Sequence, residues 1–193
     1  MITEDDIPPV TSRLDPEAMT AVALEAGMVP ADEDEIAVAR QLAADLMQHD
    51  VVSIGTLQAV RAIQPAAMLV YKEDGRVTGV FGQLVLRPSA IRRIFEGDFD
   101  ALDVDTDYLS RAGEIAGLGY AWGLAASTKR AAASLILHGQ LVRARLFPDL
   151  TIFTRAVTPV GRHIALNRYR YQPFRRPDDD LLIRLPELEA ESA

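Results

Sequence analysis

The hydrophobic period of the chain changes near residue 66, and this change constrains the fold more than any other feature. Residues 31–50 carry apolar side chains at the spacing of an amphipathic helix. Residues 66–88 instead alternate as strands do, and Asp74-Gly75 interrupts them with a dipeptide typical of a hairpin turn. A chain that passes from helices into a hairpin predicts a sheet covered by helices.

The rest of the pattern predicts a mixed α/β (α+β) fold. Strand and helix alternate twice after the hairpin, which predicts right-handed crossovers and neighbouring parallel strands. We expect a central mixed, mostly antiparallel twisted sheet of about six or seven strands, with helices on both faces. The predicted helices cover 16–27, 31–50, 53–64, 89–97, 127–147 and 158–169, and the predicted strands cover 66–88 (the hairpin), 112–126, 149–157, 170–174 and 180–185.

Composition excludes several classes of protein. The chain has no cysteine, which excludes disulfides and thiolate chemistry. Its three histidines lack the spacing of metal ligands, so no metal is expected. The N-terminus is acidic where a signal peptide is basic, and no apolar run is long enough to span a bilayer. These features predict a cytoplasmic protein with no membrane partner.

Charge is divided unevenly along the chain. Residues 1–60 carry a net charge of −10, whereas residues 111–176 carry +9. The basic half indicates an anionic ligand, although attraction between two halves of one fold would explain the asymmetry equally well. Nucleic acid, bound through residues 155–176, is the weakest alternative, because the chain is acidic overall and shows no nucleic-acid motif.

Residues 125–139 raise an electrostatic question. Ser127 or Thr128 can cap a helix here, yet Lys129 and Arg130 follow in the first turn, where the helix dipole disfavours positive charge. Long exposed side chains would tolerate this position, and so would an anion bound at the helix N-terminus. The alanines at 131–133 would let such an anion approach the free backbone N–H groups. We therefore predict an anion site at this N-terminus.

Several motifs resemble the GNAT superfamily of N-acyltransferases. Residues 73–79, EDGRVTG, look like the family's hairpin turn. The strand with Glu114 and the following helix at Thr128 look like its fourth strand and acyl-CoA helix. The resemblance divides the chain into an arm with a short helix at 1–34, a GNAT-like domain at 35–185 and a tail at 186–193.

The closing segment 164–174, IALNRYRYQPF, adds to the resemblance. Ala165, Tyr169 and Phe174 stand at the spacings of the family's last motif, with Pro173 in place of a glycine. The sequence GEIAGL at 113–118 is also distantly similar to the acyl-homoserine-lactone synthase branch, although a glycine stands where that branch has arginine.

The resemblance implies an acyl-CoA-dependent N-acyltransferase that acts on an amine of unknown identity. Glu114 would be the general base and Tyr169 the general acid, with Tyr171 as a weaker substitute for Tyr169. Acetyl-CoA or a longer acyl-CoA would be the co-substrate, and a small-molecule or peptide amine would be the acceptor. The sequence does not decide between a monomer and a homodimer. The residues implied to hold the co-substrate are Leu124, Ala126, Ser127, Thr128, Lys129, Arg130, Ala131, Ala132 and Ala133.

The phosphate motif departs from the family's pattern. That pattern has arginine or glutamine, then glycine, then glycine or alanine, and Thr128, Ala131 and Ala133 stand at those positions. Only Ala133 fits. The alternative function is therefore a non-catalytic GNAT-fold binding or regulatory protein with weakened or lost acyl-CoA binding, acting through its acidic N-terminal segment.

The candidate side chains also have structural interpretations. Burial between apolar neighbours would raise the pKa of Glu114, whereas a position at an exposed strand start would pair it with Arg111. Tyr169 would otherwise close the core under the last helix. We expect His138 and His163 to be surface or half-buried residues without a catalytic role.

The segment between 98 and 126 contains two further patterns. Asp103, Asp105, Asp107 and Glu114 match calcium-loop positions, but Tyr108 stands where that loop needs glycine, so we predict a solvated acidic loop that attracts an amine. The predicted strand is rich in glycine, which indicates a bulge or a close backbone approach. Tyr120 and Trp122 are expected to lie in the core.

Overall fold

Six α-helices and seven β-strands form in the part of the chain that the computed structural model describes, which is residues 2–175, 177–178 and 180–186. The helices are α1 (Pro16–Glu25), α2 (Glu33–Met47), α3 (Ile54–Ile63), α4 (Ala90–Glu96), α5 (Lys129–Arg145) and α6 (Pro159–Arg168). The strands are β1 (Met28–Pro30), β2 (Met68–Glu73), β3 (Arg76–Leu86), β4 (Leu118–Ala126), β5 (Ile152–Arg155), β6 (Gln172–Pro173) and β7 (Leu181–Arg184).

Local sequence signals set several of these boundaries. A reciprocal capping box begins α2, in which the Glu35 backbone N–H donates to Asp32 Oδ1 at 2.9 Å and the Asp32 N–H donates to Glu35 Oε2 at 3.0 Å. Asp74 and Gly75 connect β2 to β3 with φ angles of 50° and 76°. Both angles are left-handed, as a type I′ turn requires, and the predicted hairpin is confirmed.

The strands form one open sheet in the order β1-β2-β3-β4-β5-β7-β6. Neighbouring strands are antiparallel except β4 and β5, which run parallel and are joined through α5. The predicted mixed, mostly antiparallel sheet is therefore confirmed, and so is the parallel pair expected from the strand–helix–strand order.

Helices cover both faces of the sheet, as predicted. Side chains of β3 alternate between the faces, so that Phe81 and Val85 pack with α1 and α5. Val80 and Leu84 point the other way and pack with helices α2, α3 and α4. The two faces are called here the α5 face and the α2 face.

The predicted start of the fourth strand is wrong. β4 begins at Leu118 and not at residue 112, because residues 113–116 pair with the N-terminal arm. The Leu14 N–H donates to the Glu114 carbonyl and the Ala116 N–H donates to the Ser12 carbonyl, both at 2.9 Å. The sequence pattern also misses β1, which is too short to show alternation. Of the predicted tail, residues 187–193 lie outside the described residues.

Candidate functional site

A gap opens between β4 and β5 beyond their first few residues. The parallel pairing joins only Gly119, Tyr120 and Ala121 to residues 152–154. β4 continues to Ala126, while Arg155 at the end of β5 pairs with β7. Residues 122–126 of β4 therefore have no strand partner on their β5 side among the described residues.

A β-bulge lies where this gap begins. Gly82 of β3 stands opposite Gly123, whereas the next residue, Gln83, stands opposite Ala121, so that Trp122 is the extra residue. The bulge predicted from the glycine-rich sequence is confirmed. Trp122 is partly buried on the α2 face, where its Nε1–H donates to the Ala101 carbonyl at 2.6 Å. Tyr120 is in the core, as expected.

The N-terminus of α5 lies at the end of this unpaired stretch. Thr128 caps the helix, since its Oγ1 accepts the Ala131 N–H at 3.0 Å. The Ser127 N–H donates to the Thr78 carbonyl at 2.9 Å, which ties the entry to the hairpin. The backbone N–H groups of Lys129 and Arg130 find no acceptor among the described residues.

Glu73 places an internal carboxylate beside this helix N-terminus. Its Oε2 accepts the Thr128 hydroxyl at 2.6 Å and the Thr78 hydroxyl at 3.0 Å. Its Oε1 lies 3.6 Å from an Arg130 guanidinium nitrogen. The Thr128 hydrogen bond, followed by smaller effects of Thr78 and Arg130, lowers the pKa of Glu73. Arg130 thus has an anionic partner within the chain, whereas no ion pair with Lys129 is found in the described part.

Sequence reasoning missed Glu73. The residue directly precedes the Asp74-Gly75 turn, and this position predicts only a place at the end of a hairpin strand. Nothing local connects it to Thr128, which is 55 residues further along the chain. The contact depends on how the β2–β3 hairpin lies against the entry to α5.

The three alanines of α5 do not form one surface. Ala131 is fully buried and packs on Gly79, where an added Cβ would lie 3.0 Å from the Ala131 Cβ. Its side chain therefore faces the sheet, its backbone N–H is bonded to Thr128 Oγ1, and its place beside an anion stays a prediction. Ala133 is exposed and Ala132 is half-buried.

Ala132 and Ala133 contribute to a groove along the outer face of α5. This groove has a volume of about 360 Å³. Its other lining residues are Lys129, Ile136, Leu137, Gln140 and Arg168, the last of which ends α6. The α5 groove therefore combines an apolar floor with two cations, and Arg168 is a second residue that sequence reasoning did not single out.

Leu124 and Ala126 both point to the α5 face. Leu124 stands opposite Phe81 in the β3–β4 ladder, and Ala126 stands opposite Gly79. Leu124 remains 40% exposed although it lies in the middle of the sheet, because β5 does not continue beside it. Both residues thus lie on the face of the sheet that α5 covers, shortly before the N-terminus of that helix.

Glu114 lies in a bend before β4 and not on the strand. Its carboxylate accepts two hydrogen bonds of 2.9 Å from Arg87, at Nε and at an Nη. The Arg111 backbone N–H donates to it at 2.8 Å. The Glu114 carboxylate therefore pairs with the side chain of Arg87, whereas Arg111, its expected partner, bonds to it only through the backbone N–H.

The expectation of a raised pKa for Glu114 is wrong. The Arg87 hydrogen bonds, and then the Arg111 N–H, lower the pKa of this carboxyl. The carboxylate is 40% exposed, so desolvation is too weak to reverse the effect. A carboxylate held in this way is a weaker base than the resemblance implies.

Tyr169 and Tyr171 lie at the C-terminal end of α6. Tyr169 is half-buried, and burial raises the pKa of its hydroxyl. Burial raises the pKa of Tyr171 as well. Both hydroxyls are protonated at neutral pH, as free tyrosine is, and the raised pKa makes each a weaker proton donor than free tyrosine.

The structure does not bring Glu114 and Tyr169 together as one acid–base pair. Glu114 is bonded to Arg87 at the end of β3, whereas Tyr169 lies near Arg184 of β7. β4 and β5 lie between β3 and β7 in the sheet, and no hydrogen bond or ion pair between Glu114 and Tyr169 is found in the described residues.

His138 differs from its expected position. It is fully buried on the inner face of α5, with its ring edge-on to Phe81 at 4.8 Å and its Nε2 at 3.3 Å from Gln83 Nε2. Burial lowers the pKa of His138 to about 4. His163 is exposed, as expected.

The predicted charge asymmetry is only partly neutralised within the fold. Arg145 and Glu25 join the basic and acidic halves, with nitrogen–oxygen distances of 2.5 and 3.0 Å. Arg155 pairs instead with Asp180 at 3.8 Å, outside the acidic half. Arg176, one end of the predicted basic segment, lies outside the described residues.

Comparisons with known proteins identify no relative from which a function could be transferred. No protein-family model matches the sequence, and no curated protein matches it significantly. Among the described residues, no cluster of histidine and acidic side chains could hold a metal ion. None of the helices described above is both long and apolar enough to cross a membrane.

Proposed function

We propose that this protein is an acyl-CoA-dependent N-acyltransferase of the GNAT type, which moves an acyl group from a CoA thioester to an amine. The observation that carries the proposal is the gap between β4 and β5, whose unpaired β4 backbone leads directly to the N-terminus of α5. The resemblance implies such a gap, because in that fold the fourth strand splays from the fifth and leaves a cleft for pantetheine.

The groups around the opening suit the parts of such a donor. An extended chain with amide groups can exchange hydrogen bonds with the unpaired backbone of residues 122–126. A diphosphate can accept from the free N–H groups of Lys129 and Arg130. The α5 groove offers apolar surface and Arg168 to the nucleoside end.

The chemistry requires few groups from the protein. The thioester supplies an activated acyl carbon, the neutral amine nitrogen attacks it, and the carbon–sulfur bond breaks. A cationic amine first releases one proton to water; after the attack the nitrogen releases a second and the departing thiolate gains one, so one proton is released overall. Tyr169 is the proposed proton donor to the thiolate, while the acidic loop at 98–107 draws a cationic amine toward the α2 face, where Trp122 contacts that loop.

A second candidate function is a binding or regulatory protein without catalysis. The bond between Arg87 and Glu114 favours it, because the residue implied as general base is engaged in an ion pair. The phosphate motif, in which Thr128 replaces arginine or glutamine and Ala131 replaces a glycine, favours it too. The transferase must bind an acyl-CoA and turn it over, whereas the second candidate has weakened or lost acyl-CoA binding and no turnover.

One experiment tests the proposal and separates the two candidates. Titration calorimetry with CoA, acetyl-CoA and longer acyl-CoAs measures binding, and release of free thiol in the presence of an amine panel measures turnover. Binding with thiol release supports the transferase, and binding without it supports the second candidate. Absence of binding by every acyl-CoA contradicts the transferase and favours the second candidate.

A further inference from the structure

We propose that the acceptor of this protein is an amine with an apolar body, and that Leu46 and Leu102 select it beside Trp122 on the α2 face. The inference rests on the proposed function, and it names the class of acceptor that the function leaves open. The surface concerned is called here the Trp122 patch, and it is formed by Leu46, Met47, Leu102 and Trp122.

The bulge in β4 provides the floor of the patch. Trp122 packs on the α2 face, and Gly123 is turned the same way, since an added Cβ would lie 3.5 Å from Met47 Cε. Both residues belong to the stretch of β4 that lacks a β5 partner. The patch therefore lies at the start of the gap in which the proposed donor binds.

One wall of the patch is the C-terminal end of α2. Ile36 and Ala39 are buried on the side of this helix that faces the sheet. Leu46 lies two turns beyond Ala39 on the same side, yet it is 43% exposed. The described residues thus leave apolar surface uncovered on the inner side of an amphipathic helix, where the helix passes Gly123.

The acidic loop forms the other wall. Phe99 packs on Tyr120 with a ring-centroid distance of 5.3 Å, and the Ala101 carbonyl accepts the Trp122 Nε1–H at 2.6 Å. Leu102 follows directly and is 46% exposed. Both exposed leucines therefore belong to segments that are anchored at the β4 bulge.

The charges around the patch favour a cation. Asp100, Arg155 and Asp180 all act on the Tyr120 hydroxyl, which lies beneath the acidic loop. Arg155 pairs with Asp180 at 3.8 Å, so its charge is offset, whereas no ion pair of Asp100 is found among the described residues. An ammonium group beside the patch would therefore meet the uncompensated charge of Asp100.

Other occupants fit the patch less well. None of its four residues is more than half exposed, so together they offer far less than the roughly 800 Å² per subunit that a stable dimer interface buries. The acidic loop repels an anionic membrane surface. A small apolar molecule with a positive charge matches the patch in both size and charge.

Fluorescence of Trp122 reports on the patch directly, because it is the only tryptophan of the chain. The experiment titrates the full chain with hexylamine, ethanolamine and hexanol, with calorimetry in parallel. Hexylamine has both the apolar body and the charge, whereas each of the other compounds has only one of them. We expect hexylamine to shift the Trp122 emission saturably and to bind at least about tenfold more tightly than either.

Variants of the patch test the named residues. Leu46→Gln and Leu102→Gln should each weaken hexylamine binding about fivefold, because each removes part of an apolar contact. Asp100→Asn keeps an oxygen for the Leu102 N–H, so it should weaken hexylamine binding at low salt and leave hexanol binding unchanged. Leu24→Gln is the matched control, since Leu24 is a 56% exposed leucine of α1, which packs on the α5 face.

Several results would overturn the inference. One is an unchanged Trp122 emission, with or without binding in calorimetry. Others are equal affinity for hexylamine and either comparison compound, unchanged hexylamine binding in D100N, or an equal loss in L24Q and L46Q. A wild-type dimer that L46Q and L102Q dissociate in sedimentation would assign the patch to a second copy and overturn it too.

The two proposals fail in distinguishable ways, because the amine titrations need no acyl-CoA. If hexylamine binds as expected and no acyl-CoA binds, the amine site stands and the proposed function is wrong. If the wild type releases thiol from acetyl-CoA equally fast with ethanolamine and with hexylamine, the proposed function stands and the selection by the leucines is wrong. If neither hexylamine nor any acyl-CoA binds, both are wrong.

Discussion

Arg87 holds Glu114 through two hydrogen bonds of 2.9 Å, and this pair joins the end of β3 to the bend before β4. A third bond of 3.0 Å runs from Arg87 to the Asp107 carbonyl, so the same guanidinium also fixes the end of the acidic loop. These bonds support the loops on both sides of Glu114, and its role as general base stays a prediction.

Glu114→Gln and Arg87→Met should therefore have the same effect. Both should lower the melting temperature at pH 7 by no more than a few degrees, because the pair is partly exposed. Since the folded pKa of Glu114 is lowered, its stabilising contribution is present above the unfolded pKa and is lost as pH falls through the folded value. The difference between E114Q and wild type should accordingly vanish in acid.

Turnover measurements on the same two variants test whether Glu114 is the general base. If thiol release is detected in wild type, kcat should fall little and equally in both variants. A large loss of kcat in Glu114→Gln with normal kcat in Arg87→Met would contradict the supporting role and restore Glu114 as the base.

Gly117 is a site where any side chain should disrupt the fold. An added Cβ would lie 2.2 Å from Pro88 N and 2.4 Å from the Arg87 carbonyl carbon. Backbone atoms cannot withdraw as side chains do, so Gly117→Ala should destabilise by at least about 3 kcal/mol. Chemical denaturation measures this loss.

Gly139→Ala is the control for that substitution. Gly139 lies inside α5, and its nearest neighbour would be Phe81 Cε2 at an ordinary 3.6 Å. Alanine should raise the free energy of unfolding there by about 0.5–1 kcal/mol, because it restricts the unfolded chain. Equal stability of the two variants would refute the steric account.

The sequence predicted what depends on neighbours along the chain. The hairpin at Asp74-Gly75 and the helix at Thr128 follow from local backbone and capping preferences, and both form where expected. The start of β4 was misplaced because Glu114 and Ile115 pair with the distant arm at residues 12–14.

In the candidate site, too, features that depend on nearby residues were predicted and contacts between distant residues were not. The glycine-rich sequence of 112–126 predicted a bulge, and a bulge forms at Trp122, where β4 begins to extend beyond β5. The partners of the charged groups were not predicted. Glu73 bonds to Thr128, which is 55 residues away in the sequence, and Arg87 bonds to Glu114, which is 27 residues away. Such pairs depend on tertiary packing, which no local pattern encodes.

His138 should make stability depend on pH in a defined window. Its pKa is about 4 in the folded protein because burial disfavours the charged ring, against an ordinary value of 6.5. The unfolded chain therefore takes up a proton first as pH falls, and the stabilising contribution present above pH 6.5 is lost toward pH 4. Between pH 7 and pH 5 the loss should be about 2 kcal/mol.

Comparison with His138→Gln isolates this contribution. Glutamine does not titrate, and the two other histidines are present in both proteins, so their effects cancel. Urea unfolding at several pH values should give a steeper loss in wild type than in H138Q. Parallel curves would show that His138 is not buried in its neutral form.

The two cations at the start of α5 should respond differently to charge reversal. Lys129→Glu places an acid where the helix dipole favours it and breaks no ion pair found in the described structure, so the free energy of unfolding should stay equal or rise by up to about 1 kcal/mol. Arg130→Glu places an acid beside Glu73, the present partner of Arg130 at 3.6 Å, so the melting temperature should fall.

Acyl-CoA affinity should fall in both variants, and by at least about tenfold at low salt in the double variant, since two charges near the diphosphate are reversed. Calorimetry with acetyl-CoA and thermal melts of the four proteins measure both effects. Acetyl-CoA affinity that is equal in all four proteins, or absent in all four, would contradict an anion site at these cations.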